Sequence, residues 1–157
     1  MLCPGDDAID FTADSTDGLF TLSERVKEGP VLLYFYVINY GRTCTDYITQ
    51  LNERSEDLSR LGIRMFQVNN DSVENHRDWM RHTASEYDII SDTDCKISRS
   101  YDCTVRKAKS EKIIGNPNRG FFLIGMDMKV LYTWQADMPM DTLLPDILIC
   151  ESEKALD

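Results

Sequence analysis

Five cysteines and two histidines are the side chains of this 157-residue sequence best suited to nucleophilic or metal chemistry. Cys3, Cys44, Cys95, Cys103 and Cys150 form an odd, widely spaced set without a CxxC pair. His76 and His82 stand six residues apart, on different faces of any helix that carries both. The pattern supports neither a zinc site nor a disulfide framework. One cysteine stands apart by context. Thr43 has the chemistry of an N-cap, and Asp46 three residues later makes a weak variant of the capping box, which predicts that Cys44 opens a helix. Unpaired backbone amides and the positive end of the helix dipole would stabilise a thiolate there, and Arg42 adds a cation. Those conditions draw a cysteine pKa down from about 8.5 and turn the thiol into a nucleophile.

A helix that presents Cys44 needs a strand leading into it. Gly29-Pro30 stops the preceding segment, and residues 31–37 are apolar on both faces and rich in β-formers, which predicts a central strand covered on both sides. From Thr43 the period changes to about 3.6, with Ile48, Leu51, Ser55, Leu58 and Leu61 on one face until Gly62 closes the helix. Residues 63–68 read as the next strand, and Asp71 with Glu74 as the capping box of a helix through about Arg81. Residues 87–90 read as a third strand, followed by a short helix ending near Tyr101. Residues 104–118 form a basic connection, 121–124 and 130–134 a hairpin, and Asp141 caps a last helix bearing Leu144, Ile147 and Leu148. Upstream, residues 13–18 are turn chemistry and 19–22 an edge strand. This order predicts a single α/β domain over 1–157, parallel where helices cross over and antiparallel at the hairpin. Ligands in such sheets bind beyond the carboxyl ends of the parallel strands, which points at the turn between Val37 and Cys44.

Composition narrows the function classes. The chain is 42% apolar and 28% charged, with a net charge of −10. That acidity repels phosphate backbones and anionic headgroups, so neither nucleic acid nor membrane is an expected partner. The longest apolar run, residues 31–38, is far short of a bilayer span. The first residues lack the basic and apolar regions of a signal peptide, and the expected location is cytoplasmic.

Several short motifs fall in a recognisable order. Gly5-Asp6-Asp7-Ala8-Ile9-Asp10-Phe11 looks like G-x-x-A-P-D-F with Ile9 for the proline, and Asp17-Gly18 is followed by Leu22-Ser23. The strand Val31-Leu32-Leu33-Tyr34-Phe35-Tyr36 leads into a P-x-x-x-T-x-x-C frame in which Val37 takes the proline position and Gly41 the threonine position. Cys44-Thr45, Ser91-Asp92, Tyr101-Asp102-Cys103 and Arg119-Gly120-Phe121-Phe122-Leu123-Ile124 follow. Together they resemble the peroxiredoxins (AhpC/TSA-like thiol peroxidases) along nearly the whole chain.

The resemblance implies a thioredoxin-like fold, a central mixed β-sheet flanked by helices on both faces, and no cofactor or metal. It implies a peroxide substrate, either hydrogen peroxide or an organic hydroperoxide, and a thioredoxin-like or small-thiol reductant. Cys44 would attack the peroxide and become a sulfenic acid. Arg119 would hold the thiolate and bind peroxide, with first-turn amides as further donors. Gly41 removes a hydroxyl that would hydrogen-bond peroxide and thiolate together, leaving Thr43 and Thr45 as the neighbouring hydroxyls. Val37 removes a shielding proline, and Tyr47 stands where many members have Glu. Cys95 ranks ahead of Cys103 as an internal resolving thiol, beside an external one. A homodimer is expected, with Tyr40, Trp79, Trp134 and Met138 as interface candidates. The alternative is a non-enzymatic thioredoxin-fold redox sensor or interaction protein. Disulfide oxidoreductase activity is disfavoured, because Gly41 occupies the first position of CxxC.

Overall fold

Residues 31–35 do what their unbroken apolarity predicts. In the computed structural model, which describes residues 1–157, they form β3 (Val31–Phe35), buried at every position. Around it lie β1 (Thr12–Ser15), β2 (Gly18–Thr21), β4 (Arg64–Asn69), β5 (Ile89–Ser91), β6 (Gly120–Ile124) and β7 (Val130–Gln135), in the order β2-β1-β5-β4-β3-β6-β7. The strands β3, β4 and β5 pair in parallel, whereas β6 is antiparallel to both β3 and β7. The expected α/β mixed sheet is the observed one.

Period-two alternation along β3 divides the core. Leu32 and Tyr34 face a layer closed by α2 (Arg42–Glu53), α3 (Ser55–Arg60), α4 (Val73–Thr83) and α6 (Pro145–Leu156). Val31, Leu33 and Phe35 face a second layer under α1 (Leu22–Arg25) and α5 (Lys96–Ser100). No helix is long and apolar enough to cross a membrane.

Local details depart from the sequence reading where a polar side chain had two uses. The helix expected over 43–61 is two helices, because Arg54 leaves helical geometry (φ −107°, ψ 15°) while its Nε donates to Asp57 Oδ2 at 2.7 Å. Ser72, not Asp71, is the N-cap of α4 and accepts from the Asn75 amide at 3.1 Å. Asp141 accepts the Met138 amide at 3.0 Å, and α6 begins later, at Pro145. Of the expected turn over 13–18, residues 13–15 belong instead to a strand, since β1 pairs with β2 on one side and touches β5 on the other.

The turn that leaves β3 toward Cys44 contains no proline, and side-chain hydrogen bonds hold it instead. Tyr36 donates its hydroxyl to Asn39 Oδ1 at 2.6 Å, Asn69 Nδ2 donates to Tyr36 O at 2.8 Å, and Asn116 Nδ2 donates to Val37 O at 3.1 Å. His76 closes the network. Its Nε2 lies 3.3 Å from Asn69 O, which assigns the proton to Nε2 and leaves Nδ1 to accept from Asn39 Nδ2 at 3.2 Å. Burial holds the His76 pKa below the ordinary imidazole value. An unfolded imidazole protonates below about pH 6.5, whereas the folded one resists, so falling pH favours the unfolded chain. The stabilisation is complete above that pH and is lost as the pH drops. Thermal melts are expected to show a decline in Tm between about pH 7 and about pH 5 that is flatter in His76→Gln; equal slopes would remove His76 from the effect.

Candidate active site

Cys44 sits one turn into the space beyond the carboxyl end of β3. Gly41 is the N-cap of α2 in extended geometry (φ −65°, ψ 139°), so Cys44 is the third residue of the helix. Thr43 is therefore not the cap that its residue type predicts; it lies inside the first turn. The first intrahelical bond runs from the Thr45 amide to Gly41 O at 2.8 Å, leaving the amides of Arg42, Thr43 and Cys44 at the positive end of the dipole. The Thr45 hydroxyl also donates to Gly41 O, at 2.7 Å. It is thereby committed to the backbone.

Arg119 arrives from the neighbouring strand. It immediately precedes β6, whose Gly120 pairs with Phe35, and this register brings its side chain to the carboxyl end of β3. The guanidinium is 1% exposed. Its Nη2 lies 3.5 Å from Cys44 Sγ and 3.3 Å from Pro139 O, and its Nη1 donates to the Tyr34 hydroxyl at 2.8 Å. Its central carbon lies 5.6 Å from the centre of the Tyr47 ring. Burial disfavours the Arg119 charge, but the neighbouring Tyr34 and Cys44 outweigh it and raise the pKa overall. Residue type and context suggested Cys44, the family resemblance suggested Arg119, and the fold brings the two into contact. Tyr34 and Pro139 were missed. Inside a strand buried on both faces, no polarity pattern marks Tyr34 as different from its neighbours.

A pocket of about 190 Å³ opens onto the sulfur. Val37, Ile38, Ile113, Pro139 and Met140 make its apolar wall, while Arg42, Thr43, Cys44 and Arg119 supply every polar side chain in the lining. No carboxylate lines it, in a chain of net charge −10. Position 41 does face Cys44: a Cβ there would stand 3.9 Å from Cys44 Cβ. It would also stand 2.8 Å from Ile38 Cγ2, so Ile38 occupies the space of the missing side chain.

The other cysteines are not assembled with Cys44. Cys103 is fully buried in the opposite layer of the core, donating to Asn118 O at 3.4 Å, and burial pushes its pKa far up. Cys95 lies at the start of α5, beyond β5, with β4 between it and β3. No hydrogen bond joins it to Cys44, and both thiols are free. Burial, then the nearby Asp92 carboxylate, raises the Cys95 pKa. Trp79 is 1% exposed, which removes it from the interface candidates, whereas Tyr40 and Met138 are exposed and Trp134 half-buried.

A model of the AhpC/TSA family matches residues 4–133. The chain belongs to that family. Among curated relatives, it is 28% identical to Peroxiredoxin 2 of Picrophilus torridus over 97% of this chain and 74% of that protein. It is 29% identical to a peroxiredoxin of Thermoplasma volcanium over 88% and 66% of the two chains, and 23% identical to 1-Cys peroxiredoxin B of Oryza sativa over 80% and 60%. The chain thus spans about two-thirds of the length of these AhpC/TSA relatives. Its fold is the thioredoxin-like peroxiredoxin fold. A cysteine-to-serine mutant of peroxiredoxin 6 from Arenicola marina superposes with TM-score 0.87 at 16% identity, covering 95% of this chain and 71% of that one. A similar mutant of PrxQ from Xylella fastidiosa gives 0.84 at 17% identity, covering 100% and 99%.

Because the Ile38 methyl stands in the space at position 41 but belongs to an exposed side chain that can turn aside, Gly41→Thr is expected to cost about 0.5–1 kcal/mol of stability. Ile38→Ala should recover most of that loss when the two are combined, as a denaturant-melt double-mutant cycle would reveal. Additive effects would mean the two positions do not compete for the same volume.

Proposed function

We propose that this protein is a thiol-dependent peroxidase in which Cys44 is the nucleophile. The observation that carries the reading is the 3.5 Å contact between Arg119 Nη2 and Cys44 Sγ at a helix N-terminus that opens to a pocket. The Cys44 thiolate attacks the terminal oxygen of a hydroperoxide. An S–O bond forms as the O–O bond breaks, and the departing oxygen takes the electron pair and then a proton, leaving as water or an alcohol. Negative charge grows on that oxygen in the transition state, where Arg119 and the first-turn amides of α2 are positioned to stabilise it. Cys44 is left as a sulfenic acid.

The apolar wall of Val37, Ile38, Ile113 and Met140 favours organic hydroperoxides over hydrogen peroxide, whose small polar body gains nothing from it. Resolution falls to an external thiol, small or carried by a thioredoxin-like protein. It displaces water from the sulfenic acid to give a mixed disulfide, and a second thiol releases Cys44. The separation of Cys95 and the burial of Cys103 in the other layer support this over an internal disulfide. Ile38, Tyr40, Met138, Met140 and Leu144 are all exposed on segments near the pocket, and support pairing with a second copy there. Free thiols at all five cysteines suit a reducing compartment. The missing hydroxyl at Gly41 favours a slower attack on peroxide, and it is the one feature that speaks for the alternative reading, a redox sensor.

Hydroperoxide consumption in the presence of excess dithiothreitol tests the reading. Repeated turnover is expected, with the rate abolished in Cys44→Ser and lowered roughly 10²- to 10³-fold in Arg119→Met. Turnover by Cys44→Ser at the parent rate would overturn the assignment. Single-turnover oxidation without regeneration would favour the sensor, and a Cys44–Cys95 disulfide formed without added thiol would refute external resolution.

A further inference from the structure

Arg119 carries its charge into the core without an acid beside it. Its hydrogen-bond partners are the Tyr34 hydroxyl, the Cys44 sulfur and the Pro139 carbonyl, and its Nε has none. Tyr47 offers the guanidinium its ring, while its hydroxyl donates away from the site to Leu143 O. Tyr34 is thus the one side-chain oxygen that fixes the guanidinium. Its own ring is held firmly, 1% exposed and stacked on Phe121 at 4.8 Å between centroids, with Tyr36 and Tyr47 at 5.9 and 5.7 Å. Burial keeps the Tyr34 hydroxyl protonated far above the ordinary phenol range.

A carboxylate in that place would orient the guanidinium equally well, but it would also cancel part of its field at the sulfur. A neutral phenol orients without cancelling. We propose that Tyr34 is the positioning residue of this site: it fixes the Arg119 guanidinium against Cys44 and, being uncharged, leaves the whole positive charge to the thiolate. The proposal rests on the reading of Cys44 as the reactive thiol, and Tyr34 acts through Arg119 rather than on the peroxide.

The test follows Cys44 alkylation by iodoacetamide across pH, with peptide mapping by mass spectrometry, and needs no peroxidase activity. Four proteins are compared: the parent, Tyr34→Phe, Arg119→Met and the double variant. Tyr34→Phe is expected to move the half-labelling pH of Cys44 up by about one unit and to slow labelling at neutral pH about tenfold, with a folded circular dichroism spectrum. In the Arg119→Met background the same change should do nothing further, because the group it acts through is gone. A parent-like profile for Tyr34→Phe would overturn the proposal, as would an equal shift in both backgrounds. If Tyr34→Phe does not fold, 3-fluorotyrosine in place of Tyr34 carries the test; it keeps the hydroxyl but weakens its oxygen as an acceptor, and a smaller upward shift is expected, no shift being the overturning result. Failure of the underlying reading looks different: Arg119→Met would then label like the parent.

Discussion

A full positive charge sealed beside a sulfur atom is the constraint around which this end of the sheet is arranged. Moving a guanidinium out of water costs several kcal/mol even after relaxation, and pairing with a carboxylate is the usual compensation. Arg119 has instead a phenol, a carbonyl, an aromatic face and the Cys44 sulfur. Of these, the sulfur alone can become a matching negative charge without disrupting the core. The packing that buries Arg119 is therefore also what holds its guanidinium against the Cys44 sulfur.

Each neighbouring element serves that contact. The antiparallel register of β6 on β3 delivers Arg119 to the strand end, and alternation along β3 turns Tyr34 into the same layer. The N-terminus of α2 supplies amides around the sulfur, and the segment before α6 supplies the Pro139 carbonyl. A proline at position 37 would have stiffened the turn by fixing φ. Here the Tyr36–Asn39–His76–Asn69 network does so with hydrogen bonds, which exchange a covalent constraint for one sensitive to protonation.

The sheet and its crossovers were legible in sequence because hydrophobic period changes at the right places: two-faced apolarity over β3, a helical stripe from Ile48 to Leu58, and the hairpin of β6 and β7. Cys44 and Arg119 were legible from residue type, context and motif order. Helix starts were not. Thr43, Asp71 and Asp141 each have capping chemistry, yet Gly41, Ser72 and Leu144 hold the cap positions. Asp71 shows why: it accepts from the Ser72 amide and from Asn75 and Asn39 side chains, and only the fold brings Asn39 to it. Tyr34 and Trp79 were illegible for a related reason. Aromatic residues with a polar handle suit an interface, a core or a site equally, and neighbours distant in sequence decide among them.

The central claim is that Cys44 is the thiol that meets a hydroperoxide, and it can be tested on all five cysteines at once. Reduced protein is treated with substoichiometric cumene hydroperoxide in the presence of dimedone, and the sulfenic acid adducts are mapped by mass spectrometry over time. Cys44 should carry the first and dominant adduct, with Cys103 unlabelled while the protein stays folded. Equal or earlier labelling of Cys95 or Cys150 would contradict the claim, since neither has a buried cation in contact with its sulfur.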